Sequence, residues 1–248
     1  MDFTGQHVVI TGASSGIGRA TAGKIAAAGG RVTLIARRAE MLKEAVGELG
    51  AGAAFVQADV GHKADLLSAL DAAVAQNGTI DGLFLNAAYG GTFVSLWEYE
   101  DEPLDQALLV NLKSPFWAIR HVLPVMMERR KGSILLTGSL ASERGMAGNF
   151  GYLASKHATL GLARSVAMEV AHTGVRCNCV VPGFIATTML EAVPAPVLEK
   201  IAARIPQGHV GKPDDVAEVA AFLLSDAAVH VTAQSWAIDG GLLGTLML

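Results

Sequence analysis

Apolar residues in this chain follow two rhythms that alternate from one end to the other. Short runs of Val, Ile, Leu and Ala, bounded by glycine or polar clusters, have the density of strands buried on both faces. They fall at 7–11, 31–36, 53–57, 82–88, 132–138, 175–181 and 235–238. Between them lie longer stretches in which Ala, Leu and charged residues recur at helical spacing, at 19–28, up to Glu48, 65–76, 105–130, 150–171 and 213–224. Pro115 and Pro124 are expected to kink or punctuate the 105–130 helix. The last helix opens on Pro213-Asp214-Asp215, with proline in the first turn and acids near the N-terminus. Residues 184–211 lack a strong repeat, are interrupted by prolines, and read as an inserted substrate-side segment or lid. Strand and helix alternating in this way predict one doubly wound α/β domain over 1–248.

Composition narrows the function. With 51% hydrophobic and 17% charged residues, the 248-residue chain has enough apolar material for a large core. Its net charge is -4, and its one basic block, Arg129-Arg130-Lys131, suits a helix C-terminus, so nucleic acid is not an expected partner. Cys177 and Cys179 alternate within an apolar strand and read as two buried thiols, not as metal ligands. An N-terminal signal segment is not seen, and no apolar run approaches the ~18 residues a membrane span needs. The expectation is a cytoplasmic protein with no membrane partner.

The chemistry-bearing positions cluster after strands. Gly12-Ala-Ser-Ser-Gly16-Ile-Gly18 sits between the first strand and the first helix, the layout that receives a dinucleotide pyrophosphate on free N–H groups and a helix dipole. A plain tight turn is the simpler alternative. The second strand ends in Ala36-Arg37-Arg38; lacking an acid for the ribose hydroxyls and offering two guanidiniums, it favours NADP(H) over NAD, unless the arginines are merely solvated charges. Asp59 can accept from an adenine amino group or cap a helix. Asn111, a poor helix former in an apolar setting, has either a specific bonding task or a place at a bend. Ser139 follows the fifth strand at its carboxyl end, where open parallel sheets bind ligands. Tyr152 and Lys156, four apart, share a helix face. A phenol titrates near ~10 when unperturbed, and a fixed ammonium nearby brings it down, which makes the pair a candidate general acid/base as well as an ordinary surface pair.

Taken in order, Thr11-Gly-Ala-Ser-Ser-Gly-Ile-Gly18, Asp59-Val60, Asn86-Ala87, Val110-Asn111, Ser139, Tyr152-Leu-Ala-Ser-Lys156, Pro182-Gly183 with Thr187, and Asp239-Gly240-Gly241 resemble the short, single-domain branch of the short-chain dehydrogenase/reductase family. The resemblance covers essentially the whole chain. It implies a seven-stranded parallel sheet of order 3-2-1-4-5-6-7 flanked by helices. It also implies Tyr152 as acid/base, Lys156 depressing its pKa and holding the nicotinamide ribose, Ser139 polarising the substrate carbonyl, and Asn111 holding the water of a proton relay. The cofactor would lie along Gly12, Ser14, Ser15, Gly16, Ile17, Gly18, Arg37, Arg38, Asp59, Val60, Asn86, Ala87, Ala88, Tyr152, Lys156, Pro182, Gly183, Ile185 and Thr187. Leu85, Ala88, Gly138 and Ala233 depart from the family pattern without removing a catalytic group.

The implied reaction is hydride transfer between NADP(H) and a small-molecule ketone or secondary alcohol. Phe93, Trp97, Leu140, Met146, Phe184, Met189 and Leu190 would rim an apolar pocket, with Glu143 and Arg144 the nearest charges. A 3-oxoacyl thioester reductase, an NAD-dependent secondary alcohol or hydroxysteroid dehydrogenase, and a silent dinucleotide sensor are the rival readings. The family also implies a homotetramer, with Ala154, Ala158 and Gly161 giving the Tyr152 helix a face of small residues and the apolar tail 242–248 needing cover.

Overall fold

In the computed structural model, which describes residues 1–191 and 193–245, seven strands form one parallel sheet. They are β1 (His7–Thr11), β2 (Arg31–Ala36), β3 (Ala53–Gln57), β4 (Gly82–Leu85), β5 (Gly132–Thr137), β6 (Val175–Pro182) and β7 (Ser235–Ile238), in the order β3-β2-β1-β4-β5-β6-β7. The order reverses between β1 and β4, which opens a crevice at the carboxyl ends of those strands. Register makes that edge level: Thr11 pairs with Leu85, Leu85 with Leu136, and Thr137 with Val180. The glycine turn, Asn86, Ser139 and Gly183 therefore all leave the sheet on one side.

Nine helices are described: α1 (Gly16–Ala27), α2 (Ala39–Leu49), α3 (Lys63–Asn77), α4 (Asp101–Leu108), α5 (Ser114–Arg129), α6 (Phe150–Val170), α7 (Thr188–Glu191), α8 (Ala195–Ala202) and α9 (Pro213–Leu224). Two apolar layers sandwich the sheet. One packs Leu66, Leu70, Ile119, Met126, Leu160 and Val166 of α3, α5 and α6 against it; the other packs Ala22, Ile25, Leu42, Val216 and Leu223 of α1, α2 and α9. Strands covered on both faces need no polar alternation, which is why β4, β5 and β6 are buried at every position.

The 105–130 helix is not continuous. Leu109–Lys113 forms a π-helical turn between α4 and α5, so Pro115 lies in the first turn of α5 and only Pro124 falls inside a helix. A π turn inserts one residue into the helical ladder and is concentrated at functional sites. Here it carries Asn111. The strand expected over 82–88 stops at Leu85, leaving Asn86–Ala88 as the exit of β4. Of the apolar tail, Leu246, Met247 and Leu248 lie outside the described residues.

Candidate active site

The glycine turn is shaped by contact as well as by torsion. Gly12 has φ +66, and a Cβ there would meet Ala87 Cα at 2.7 Å; one on Gly18 would meet Gly12 O at 2.6 Å. Only glycine lets β1, β4 and the opening of α1 come this close. Asn86 stitches the three together. Its Nδ2 donates to Gly12 O at 3.2 Å, its Oδ1 accepts from Thr137 Oγ1 at 3.2 Å, and Thr11 Oγ1 accepts from the N–H of Asn86 and of Ala87. Asn86 thus reinforces the cradle with its side chain spent on protein partners. Thr187 Cγ2 comes within 3.1 Å of where a Gly16 Cβ would sit, so the chain after β6 crosses above the same turn.

The two arginines after β2 part company. Arg38 donates from Nη2 to both Ser14 Oγ and Ser15 Oγ at 2.9 Å, placing a guanidinium over the turn. Arg37 points to solvent, 3.9 Å from an Asp59 carboxylate oxygen. Asp59 is not a helix cap: it accepts from Gly61 N–H at 2.9 Å, and His62 occupies the N-cap of α3. Val60 is buried beside it in the core.

Ser139 and Tyr152 face one another, from the end of β5 and the first turns of α6, near enough for the Ser139 side chain to lower the phenol's pKa. Lys156, one turn further on, is buried with its Nζ 5.7 Å from the Tyr152 ring centre and donates to Thr137 O at 2.6 Å. Through Thr137 and Asn86 the ammonium is linked to the glycine turn. The electrostatics differ from the expectation in one respect. Burial raises the Tyr152 pKa, and the group that draws it back down is Ser139, not Lys156. Lys156 is itself pushed down to about 8 by burial.

Asn111 has a bonding task, and it is a clamp. Its side chain accepts from Tyr89 N–H at 2.8 Å and donates to Tyr89 O at 3.0 Å and to Ser155 Oγ at 2.9 Å, while its own carbonyl accepts from Thr159 Oγ1. Ser155 in turn donates to Tyr152 O at 2.7 Å. The π turn therefore fixes α6 and the chain leaving β4 to each other.

The expected apolar rim is largely exposed: Phe93 at 69%, Trp97 at 86%, Met146 at 37% and Met189 at 53%, with Leu140 and Leu190 partly covered. Met189 reaches Gly90 of the chain after β4. Phe184 and Ile185 instead line a cavity of about 440 Å³ bounded by His209, Asp215 and Asp239, to which none of Ser139, Tyr152 and Lys156 contributes. Pro182 pairs with Ile238, and Gly183 packs so closely on Asp239 that a Cβ would lie 2.7 Å from its Cα. Arg144 ties down the C-terminal segment by donating to Leu243 O.

Three residues here carry no sequence signal. Tyr99 Oη accepts from Gly151 N–H at 3.2 Å and so caps α6 from a distant loop. That frees Asn149, the α6 N-cap residue, whose Nδ2 holds Gly90 O while its buried Oδ1 has no partner among the described residues. Ser142 accepts from Ser139 N–H at 3.1 Å.

A family model described as enoyl-(acyl carrier protein) reductase matches residues 12–243. The chain is a short-chain dehydrogenase/reductase. Among relatives, momilactone A synthase of Oryza sativa subsp. japonica is 37% identical over 97% of this chain and 90% of its own length. The 3-oxoacyl-[acyl-carrier-protein] reductase FabG of Escherichia coli (strain K12) is 34% identical over 98% of this chain and 99% of its own. The crystal structure of levodione reductase superposes with a TM-score of 0.95 at 34% identity, covering 98% of this chain and all of that one. As a member of this family the protein is an oxidoreductase acting on CH–OH and C=O groups. Two of its departures from the family pattern have opposite local settings. Leu85 is buried in the apolar layer of α3 and α5, and Ala233 takes φ +61, the torsion that favours the glycine usual there.

Proposed function

We propose that this short-chain dehydrogenase/reductase is an NADP(H)-dependent enzyme that interconverts an apolar ketone and its secondary alcohol. The observation that carries the reading is the meeting of Ser139, Tyr152 and Lys156 beside a glycine turn roofed by Arg38. The turn fits a dinucleotide: the close approaches at Gly12 and Gly18 bare the backbone where a pyrophosphate would lie, at the start of α1. Arg38 with Ser14 and Ser15 suits the extra phosphate of NADP(H), because a guanidinium and hydroxyls donate to it where an acid would repel it. Asp59 and Val60 would hold the adenine, Ile185 and Thr187 the carboxamide end, and Lys156 the nicotinamide ribose. When bound, the nicotinamide supplies hydride in reduction and accepts it in oxidation.

The rest is done by the protein. In reduction Tyr152 gives its proton to the carbonyl oxygen, and its burial-raised pKa keeps that proton on until it is needed. Ser139 donates a hydrogen bond to the same oxygen as negative charge develops there. Lys156, positive below about pH 8, steadies the phenolate that Tyr152 becomes. The exposed Phe93, Trp97, Met146 and Met189 favour a bulky apolar or aromatic substrate, with residues 184–211 as the covering segment.

Reduction of a 3-oxoacyl thioester is the second reading, favoured by the FabG relative. Carrier-protein docking through Arg129-Arg130-Lys131 does not support it: these residues precede β5, whereas Ser139 follows it, and six strand residues span roughly 20 Å. Arg129 and Lys131 are also engaged by Asp81 and Asp226. A homotetramer in the cytoplasm remains the proposed assembly and place; Ala154 and Gly161 on α6 are exposed, as a helix-packing face would be. Initial rates with NADPH and NADH over aryl ketones, steroids and 3-oxoacyl esters test the reading. NADPH-linked turnover of an apolar ketone is expected; turnover confined to thioesters would select the alternative.

A further inference from the structure

The turn after β5 holds Ser139 from two sides. Its hydroxyl oxygen accepts from Ala141 N–H at 3.2 Å, and its backbone N–H donates to Ser142 Oγ at 3.1 Å. The first bond sets how Ser139 acts. With a lone pair taken by Ala141, the hydroxyl hydrogen is left to donate toward Tyr152 and the space beside it. The second bond sets where Ser139 sits, since it anchors the backbone that carries the hydroxyl.

The slot that admits the Ser142 hydroxyl is narrow. Ser142 is buried, and a Cβ on Gly138 would lie 3.0 Å from both Ser142 Oγ and Cys179 Sγ, and 3.2 Å from Val180 O. Gly138 is one of the departures from the family pattern, so glycine at 138 and a thiol at 179 together leave the room. Cys179 is buried, its thiol pushed up to about 11 by burial, so it packs here as a small neutral hydrophobe.

We propose that Ser142 is a positioning residue: seated in the slot shaped by Gly138 and Cys179, it anchors Ser139 so that the Ser139 hydroxyl donates to the substrate's carbonyl oxygen. The proposal rests on the reading of Ser139 given above. Replacing Ser142 by alanine leaves the part-buried Ser139 N–H unpaired and frees the turn, but removes no group that touches substrate or cofactor.

Two measurements decide it. The first needs no turnover. The Tyr152 Cζ resonance, assigned by its loss in Tyr152→Phe, is followed against pH in the wild type and in Ser142→Ala. The Ser139 side chain lowers the phenol's pKa, so loosening Ser139 moves the titration upward; an unmoved titration overturns the proposal. The second is kinetic. Ser142→Ala should lower kcat for ketone reduction about tenfold, less than removing a hydrogen-bond donor outright. In a Ser139→Ala background the same change should do nothing more, because residues acting through one group are not additive. An undiminished tenfold loss in that background contradicts the proposal. If Ser142→Ala does not fold, Gly138→Ala takes its place: its methyl presses on Ser142 Oγ, the rate falls, and adding Cys179→Ala restores it. Absence of that rescue counts against the slot. Should Ser139→Ala itself cost no rate, the catalytic reading of Ser139 falls, and the phenol titration still decides what Ser142 does.

Discussion

The two ends of the parallel sheet both bury polar groups, and they treat them differently. At the amino end the groups satisfy one another. His7 is fully buried; Gly78 O accepts from its Nδ1–H at 2.8 Å, so Nε2 accepts from Thr33 Oγ1, which accepts in turn from Asn77 Nδ2. Asp81 accepts from His7 N–H and pairs with Arg129 at 2.7 Å, and Arg176 donates to the carbonyls of Leu223 and Ser225. At the carboxyl end, among the described residues, the buried Lys156 has one carbonyl partner and no carboxylate, and Asn149 Oδ1 has no partner. A closed network fixes a fold; groups held ready and incompletely paired belong to a site that expects a ligand.

The sharpest way to break this comparison is to alter one residue at each end. Tyr152→Phe should lower kcat by about a thousandfold, the scale of a lost general acid, with NADPH affinity and melting temperature little changed. Steady-state rates, fluorescence titration and calorimetry separate the three. Asp81→Ala should do the reverse. It removes the largely buried carboxylate that pairs the His7 N–H and Arg129 and should cost about 3 kcal/mol of stability, read by urea unfolding, while the folded fraction keeps its specific activity. The amino end also has a pH signature. Burial lowers the His7 pKa, with Arg31 adding to that effect and Asp81 opposing it, so its contribution is whole above about 6.5 and is lost as pH falls below that value. His7→Leu should flatten that acid limb of the unfolding curve.

Smaller effects sharpen the picture within the site. Arg38→Ala should reduce kcat/KM for NADPH about thirtyfold, from the roughly 2 kcal/mol of a charge-assisted hydrogen bond, and leave NADH nearly untouched. Reductive kcat/KM should decline as pH rises through about 8, because Lys156 loses its charge there while Tyr152 keeps its proton. At the small end, Ala233→Gly should add about 1 kcal/mol by relieving a left-handed alanine, a rise in melting temperature of roughly 2–4 °C.

Local pattern carried most of the fold. The runs at 31–36, 53–57 and 235–238 are strands with those bounds, because short apolar runs closed off by glycine or polar residues announce a strand by density alone. The π turn at Leu109–Lys113 stayed hidden, since one inserted residue shifts the helical phase without breaking the apolar pattern. Within the site, Ser139, Tyr152 and Lys156 were legible from motif and spacing. The direction of the Tyr152 shift was not. It depends on how deeply α6 and β5 bury the phenol, and spacing along a helix says nothing of depth. Tyr99, Ser142 and the freed Asn149 were illegible for a related reason: each acts on a backbone group or loop brought to it by the turn after β5 or by the chain after β4.

The central claim is that the carboxyl-end cluster carries out hydride transfer between NADP(H) and a carbonyl carbon. Its most direct test is to incubate the protein with an apolar ketone and NADPH deuterated on either face of C4, and to read the product alcohol by mass spectrometry. The account predicts deuterium on the carbinol carbon from one face only in the wild type, and no labelled alcohol from Tyr152→Phe on the same timescale. Unlabelled alcohol from both labelled cofactors, or equal labelling by the two proteins, would contradict it.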